Sequence, residues 1–224
     1  RKLSAGTYAG LKVNLKYHNI LDVEDGELQS SRGIVGRGAG TALGLGVSLT
    51  RDTRNSVFYP STGTLFKTVV QRFDGFIGSD YDFTRMSADI RGYFEPFQSH
   101  VIAINGYANF MTGKPPFHML SLLGQVGERN VMRGYYQGRY RDNNILVLQT
   151  EYRMPVWWRF GGAAFGGIGD VSHNMTGFSA NSLKYTYGLG LRFQLNPKEN
   201  INLRLDFGFG KETFGLYLAI GEAF

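Results

Sequence analysis

The sequence predicts an all-β chain, an antiparallel transmembrane β-barrel of about ten strands, with twelve as the alternative count. Three observations carry this. Apolar and polar residues alternate with a period of two along ten segments. Many of those segments exceed the usual strand of about five or six residues and reach the roughly 9–11 that a tilted strand needs to cross a bilayer. The polar faces carry charges at mid-strand, while the apolar faces carry aromatics near strand ends, such as Tyr152, Trp157, Trp158, Tyr185 and Phe214. A wet lumen inside and an interfacial girdle outside would need that arrangement.

The segments fall at about 5–20, 34–51, 63–77, 81–95, 100–112, 144–155, 159–171, 184–195, 200–210 and 213–224. In the fourth, Met86, Ala88 and Ile90 oppose Arg85, Ser87, Asp89 and Arg91. In the sixth, Leu146, Leu148, Tyr152 and Met154 oppose Gln149, Glu151 and Arg153. In the eighth, Tyr185, Tyr187, Leu189, Leu191, Phe193 and Leu195 oppose Thr186, Gly188, Gly190, Arg192 and Gln194. In the ninth, Ile201, Leu203, Leu205, Phe207 and Phe209 oppose Asn202, Arg204, Asp206 and Gly208. Successive strand side chains point to opposite faces, so each segment is two-sided. The helical spacing of three and four is absent.

The links add polarity. Pro60, Pro96, Pro155 and Pro197 fall after the second, fourth, sixth and eighth segments, and three of those links are short: EPFQS, PVWW and NPKEN. Proline cannot donate to a ladder and belongs at strand ends. The links after the fifth and seventh segments are longer and lie at the other rim. Short turns at one rim and long loops at the other is the outer-membrane arrangement, with the short turns and both termini periplasmic. The link RDTRNSVFYPSTG is longer than this pattern wants.

Composition sets bounds. The 224 residues suit one barrel domain, 1–224. Glycine, at 31 residues, is about double the ordinary 7%, and aromatics reach 14%, which suggests closely packed strands. With no cysteine there is no disulfide framework, thiolate zinc site or cysteine nucleophile. The net charge of +6 permits an anionic lipid partner, but it is scattered, and no basic stripe points to nucleic acid. No run of about 18 apolar residues and no signal peptide is present, so an exported chain of this sequence is expected to be a mature form or a fragment. GRGAGTALGLG lacks the lysine of a phosphate loop, and His18, His100, His118 and His173 are scattered. No catalytic residues, metal site or cofactor is therefore expected, and the chain does not read as an enzyme.

The stretch VMRGYYQGRYRDNN breaks the strand pattern. It resembles the V-x-R-G-[FY] loop of the BamA/TamA-type outer-membrane assembly superfamily, also called the bacterial surface antigen family. Here the motif is Val131, Met132, Arg133, Gly134 and Tyr135, continued by Gly138, Tyr140, Arg141 and Asp142. LTRDTRNSVFYPSTG, with Pro60 and Gly63, and the terminal Phe224 extend the resemblance over residues 45–224. The resemblance implies that the long extracellular loop, 113–143, folds into the lumen. It implies that Arg133 meets an acid on the wall, for which Glu151 in TEYRMP is the match. The family's F-x-D-x-G motif reads Phe165-Gly166-Gly167-Ile168-Gly169, with Gly167 in place of the aspartate; the expectation is either a loop less firmly held or substitution by another acid such as Asp206. Arg85, Asp89, Arg91, Arg153, Arg192, Arg204 and Asp206 are further lumenal charges, and Phe224 is an assembly signal.

The function so implied is outer-membrane biogenesis in a Gram-negative-type cell envelope, by inserting or translocating protein or lipid. Lipids and unfolded outer-membrane proteins are the implied partners, and a homodimer is a further one. Three alternatives stand beside it: a passive pore, a structural barrel, or the translocator end of a longer secreted protein.

Overall fold

The computed structural model describes residues 1–20, 34–126 and 129–224. The first long link, 21–33, and two residues of the long loop, 127–128, lie outside the described residues. The strands are β1 (Lys2–Ser4), β2 (Thr7–His18), β3 (Gly40–Asp52), β4 (Gly63–Phe73), β5 (Phe83–Phe97), β6 (His100–Gly113), β7 (Ser121–Val126), β8 (Arg129–Val131), β9 (Tyr140–Asp142), β10 (Asn144–Trp157), β11 (Phe160–Ser172), β12 (Lys184–Asn196), β13 (Ile201–Gly210) and β14 (Thr213–Ile220).

Eleven of them form one antiparallel sheet in the order β1-β2-β3-β4-β5-β6-β10-β11-β12-β13-β14. Its ten long members are the ten alternating segments, and the short β1 is an addition that the pattern did not signal. The residues that leave the sheet between β6 and β10 form a second, three-stranded sheet, β8-β7-β9. Every strand of the wall thus pairs with its neighbour in sequence except across that excursion. Among the described residues no ladder joins β14 to β1 or β2, so the wall is interrupted there.

Three boundaries differ from the sequence reading. The third strand starts at Gly40, not near 34, because Gly36 turns the chain at φ 86° and the Val35 carbonyl accepts from Phe117 N at 3.0 Å. The fourth ends at Phe73, where Asp74 caps a 3-10 turn by accepting from Phe76 N at 3.0 Å. The last strand ends at Ile220, because Gly221 adopts φ 85° and the chain turns away. Pro96 and Pro155 lie inside β5 and β10, not in links, each beside a register shift. A bulge is where a sheet tolerates a missing donor.

Register carries the alternation around the wall. Lys67 faces Asp89, Gln149 faces Asn105 and Gly167, and Asp206 faces Gly190 and Tyr217. These residues lie on one side of the sheet. The opposite side is apolar and bare: Leu11 is 87% exposed, Leu189 64% and Leu218 69%. An outward hydrocarbon-facing band explains that exposure, which water would penalise. Trp157 and Trp158 are exposed at one rim, and Tyr185 and Phe214 at the other.

The packed interior lies on the polar side. One cluster joins Ala42, Phe73, Tyr81, Phe83, Met111 and Met119. A second joins loop residues Leu123, Val131, Met132 and Tyr135 to Ile145 and Val147 of the wall. A third joins Tyr93 and Ala103 to Ala223 and Phe224. A flat sheet could not bring β5 and β6 against the chain beyond β14, so the wall curls on itself.

Candidate functional site

The site begins with glycines. On β12 to β14, Gly188, Gly190, Gly208, Gly210 and Gly215 occupy lumen-facing positions. Without side chains, that part of the wall is a trough. A Cβ on Gly208 would sit 2.8 Å from Gly134 N, and one on Gly210 would sit 2.7 Å from the Tyr135 ring. The tip of the loop therefore packs backbone to backbone against the wall.

The tip of the loop takes two positive φ values, 60° at Met132 and 114° at Gly134. A methionine at positive φ is strained, and such strain persists only where surrounding contacts over-determine it. Those contacts are present. Met132 N donates to Gln149 Oε1 at 2.9 Å, and Gly134 N donates to Tyr217 Oη at 2.7 Å. The Thr186 hydroxyl donates to the Arg133 carbonyl. Tyr135 Oη donates to the Tyr185 carbonyl at 2.9 Å and accepts from Lys211 N at 3.1 Å. Val131, Met132, Arg133 and Tyr135 are all buried.

Arg133 is 1% exposed. Its guanidinium forms an ion pair with Glu151 at 2.6 Å and a second with Asp206, and its plane lies 3.6 Å from the Phe165 ring centroid. Glu151 also takes Arg153 at 2.7 Å and Arg192 at 3.3 Å. Asp206 takes Arg192 at 2.6 Å and Arg204 at 3.2 Å. A buried charge is costly unless several partners hold it, and this network supplies them.

A third acid completes the cluster. Glu222 accepts from Arg192 Nε at 2.8 Å and from Asn202 Nδ2 at 2.7 Å, and it lies 3.5 Å from Arg153 Nε. The sequence reading missed it. It treated 213–224 as one strand, on which Glu222 would share the lipid-facing parity of Leu218 and Ile220. The turn at Gly221 reverses that and sends 222–224 inward. Arg153 Nη2 donates to the Phe224 carbonyl at 2.9 Å, and Phe224 is 5% exposed. The structure thus places Phe224 inside the lumen rather than on the strand end where an assembly signal was expected. Gln149, Thr186 and Tyr217 were also missed as loop partners; the polar parity of the first two was their only signal.

The remaining expected lumenal charges lie elsewhere on the wall. Arg91 and Asp89 pair with each other at 2.7 Å, and Arg85 donates to the Met119 carbonyl at 3.0 Å. None of the three joins the cluster around Arg133. Gly167, where the motif would have an acid, lies under the loop: a Cβ there would be 3.2 Å from Met132 Sδ. Asp170 lies on the other parity and binds Lys184 and Ser182 at the rim.

An apolar-coated, interrupted barrel with a loop pinned inside by buried ion pairs defines a class: an outer-membrane β-barrel. The chain belongs to the Omp85 superfamily, whose domain model matches residues 5–224. Among solved structures it is similar to BamA from Haemophilus ducreyi lacking POTRA domains 1–3, with a TM-score of 0.69 at 15% identity. That match covers 98% of this chain and 52% of the other, so this chain spans about half the length of that relative. No curated protein matches.

Proposed function

We propose that this barrel acts in outer-membrane biogenesis, inserting or translocating protein or lipid at the interruption between β14 and β2. The observation that carries this reading is the unjoined sheet edge. In hydrocarbon an unpaired backbone N–H or C=O costs on the order of several kcal/mol. A membrane wall that ends in bare edges, Thr213–Ile220 on one side and much of Thr7–His18 on the other, is therefore a place for another chain or a lipid to enter. The reading of the barrel as a passive pore has less support, because the loop and ion cluster fill the lumen beside β10–β13.

The test is reconstitution of the chain in liposomes with a urea-unfolded outer-membrane barrel as client. The expected result is faster acquisition of protease-resistant client than in empty liposomes, with cross-links from a photoactivatable residue at Leu15. Equal rates and no cross-link would reject the proposal.

A further inference from the structure

β14 borders the interruption and is lightly held. Among the described residues it pairs along one edge, with β13, from Gly210 opposite Thr213 to Leu203 opposite Ile220. Its outward side chains, Phe214, Leu216, Leu218 and Ile220, are exposed. Inward it presents Thr213, Gly215, Tyr217 and Ala219. Tyr217 is therefore its one large lumenal side chain.

That side chain reaches the loop. Tyr217 Oη accepts from Gly134 N at 2.7 Å and donates to the Tyr135 carbonyl at 3.4 Å, a weak contact. Two facing glycines make room for this. A Cβ on Gly215 would overlap the Tyr217 phenol. A Cβ on Gly208, directly opposite Gly215, would sit 2.8 Å from Gly134 N. A side chain at either position would part the ring from the loop tip.

The neighbouring strand is held differently. Asp206 of β13 stands opposite Tyr217. It is ion-paired with Arg133, with Arg192 at 2.6 Å and with Arg204 at 3.2 Å. Consecutive loop residues thus grip consecutive strands. Arg133 takes β13 through buried charge, and Gly134 takes β14 through one neutral hydrogen bond. Disrupting a buried ion pair costs several times more than losing a neutral hydrogen bond. β14 can therefore leave the loop while β13 stays.

We propose that Tyr217 is a catch: its phenol holds β14 against the loop, and β14 by itself is the movable leaf of the interrupted wall. The inference rests on the reading that clients enter at this interruption. Release breaks one side-chain hydrogen bond and peels β14 from β13. It leaves the Arg133 cluster intact, so the loop serves as a fixed post. Tyr217 is a positioning residue, acting on clients through the strand edge it holds.

The test compares Tyr217→Phe, which deletes one oxygen and keeps the ring, with Tyr187→Phe, a control on the lipid-facing side. Hydrogen exchange of the full chain in liposomes is read by mass spectrometry. The catch predicts that Tyr217→Phe speeds exchange in Thr213–Ile220 about fivefold, the effect of one lost hydrogen bond. Exchange in Asn144–Trp157 and Lys184–Asn196 should stay unchanged, as should trypsin cleavage at Arg139. A merely structural role would raise exchange in all three segments and free the loop. Leu205 and Leu218 face each other across β13 and β14, and the chain has no cysteine. Leu205→Cys with Leu218→Cys therefore gives one staple. Oxidised, it should return Tyr217→Phe exchange to the parent rate, and reduction should undo that. Unchanged exchange in β14, or an equal rise in all three segments, overturns the catch. Client folding is followed on the same variants. Selective exchange in β14 with client folding indifferent to the staple supports the catch and rejects client entry at this edge.

Discussion

Arg133 and Glu151 belong to different parts of the chain, one at the tip of a loop and one in the middle of β10, yet they meet at 2.6 Å inside the barrel with both side chains almost fully buried. Glu151 is the common partner of Arg133, Arg153 and Arg192. Replacing it with glutamine leaves three buried guanidinium groups with one acid fewer. Removing one partner from such a pair costs about 3–5 kcal/mol. Glu151→Gln is expected to lower the temperature at which the barrel loses its compact gel mobility and to open the loop to trypsin. An unchanged cleavage rate at Arg139 and Arg141 would refute this.

The glycine trough gives a second prediction. Gly208→Val places a side chain where the Gly134 backbone now lies. The strand itself tolerates valine. The loop is therefore expected to be expelled while the wall still forms, seen as new trypsin cuts after Arg133 with far-UV circular dichroism retained. Gly106→Val is the control, since a Cβ there meets nothing within 4 Å.

Gly167 and Met132 act as a pair. An aspartate at 167 would put its Cβ 3.2 Å from Met132 Sδ and 3.1 Å from the Leu148 carbonyl. Overpacking of that kind costs about 1–3 kcal/mol. Gly167→Asp alone should loosen the loop, and Gly167→Asp with Met132→Ala should restore part of the loss. A double-mutant cycle on unfolding temperature checks this, and strict additivity would disprove the coupling.

His118 supplies a pH dependence outside the spanning strands. Burial, then the neighbouring His18 and Lys16, lower its pKa from 6.5 to about 4. His18 stacks on it at 4.2 Å, Tyr81 meets it edge-on at 6.0 Å, and Lys16 donates to its carbonyl at 3.4 Å. The unfolded segment therefore takes up a proton first. The stabilisation from neutral His118 is complete above about pH 6.5 and is lost as pH falls from there toward 4. Hydrogen exchange in Phe117–Met119 should accelerate over that window, and His118→Gln should flatten the response.

The ten long strands were legible because a period of two sustained over eight or more residues is the mark of a two-faced strand and suits no helix. Arg133 and Glu151 were legible through a motif, and Asp206 as a spare acid of the right parity. The inward tail was not, because it depends on one positive φ at Gly221 in a chain with 31 glycines, and nothing in the letters marks which of them turns. Nor was the small β7–β9 sheet: its strands carry arginine, asparagine and glycine without alternation. Parity could say that Asp206 faces the lumen. It could not say that the loop tip stops above β13.

The two acids that hold Arg133 stand on β10 and β13, three steps apart along the sheet order. At about 4.8 Å per step, that is roughly 14 Å of wall. One guanidinium ties the two together, as a chord ties an arc. The bend of that part of the barrel is thereby held by a side chain from elsewhere, beside Arg192 of β12, which binds the same two acids. Should the free end at β13–β14 swing outward, Arg133 must release one acid or drag its loop along. Loop position and wall curvature are one mechanical variable, readable from either end.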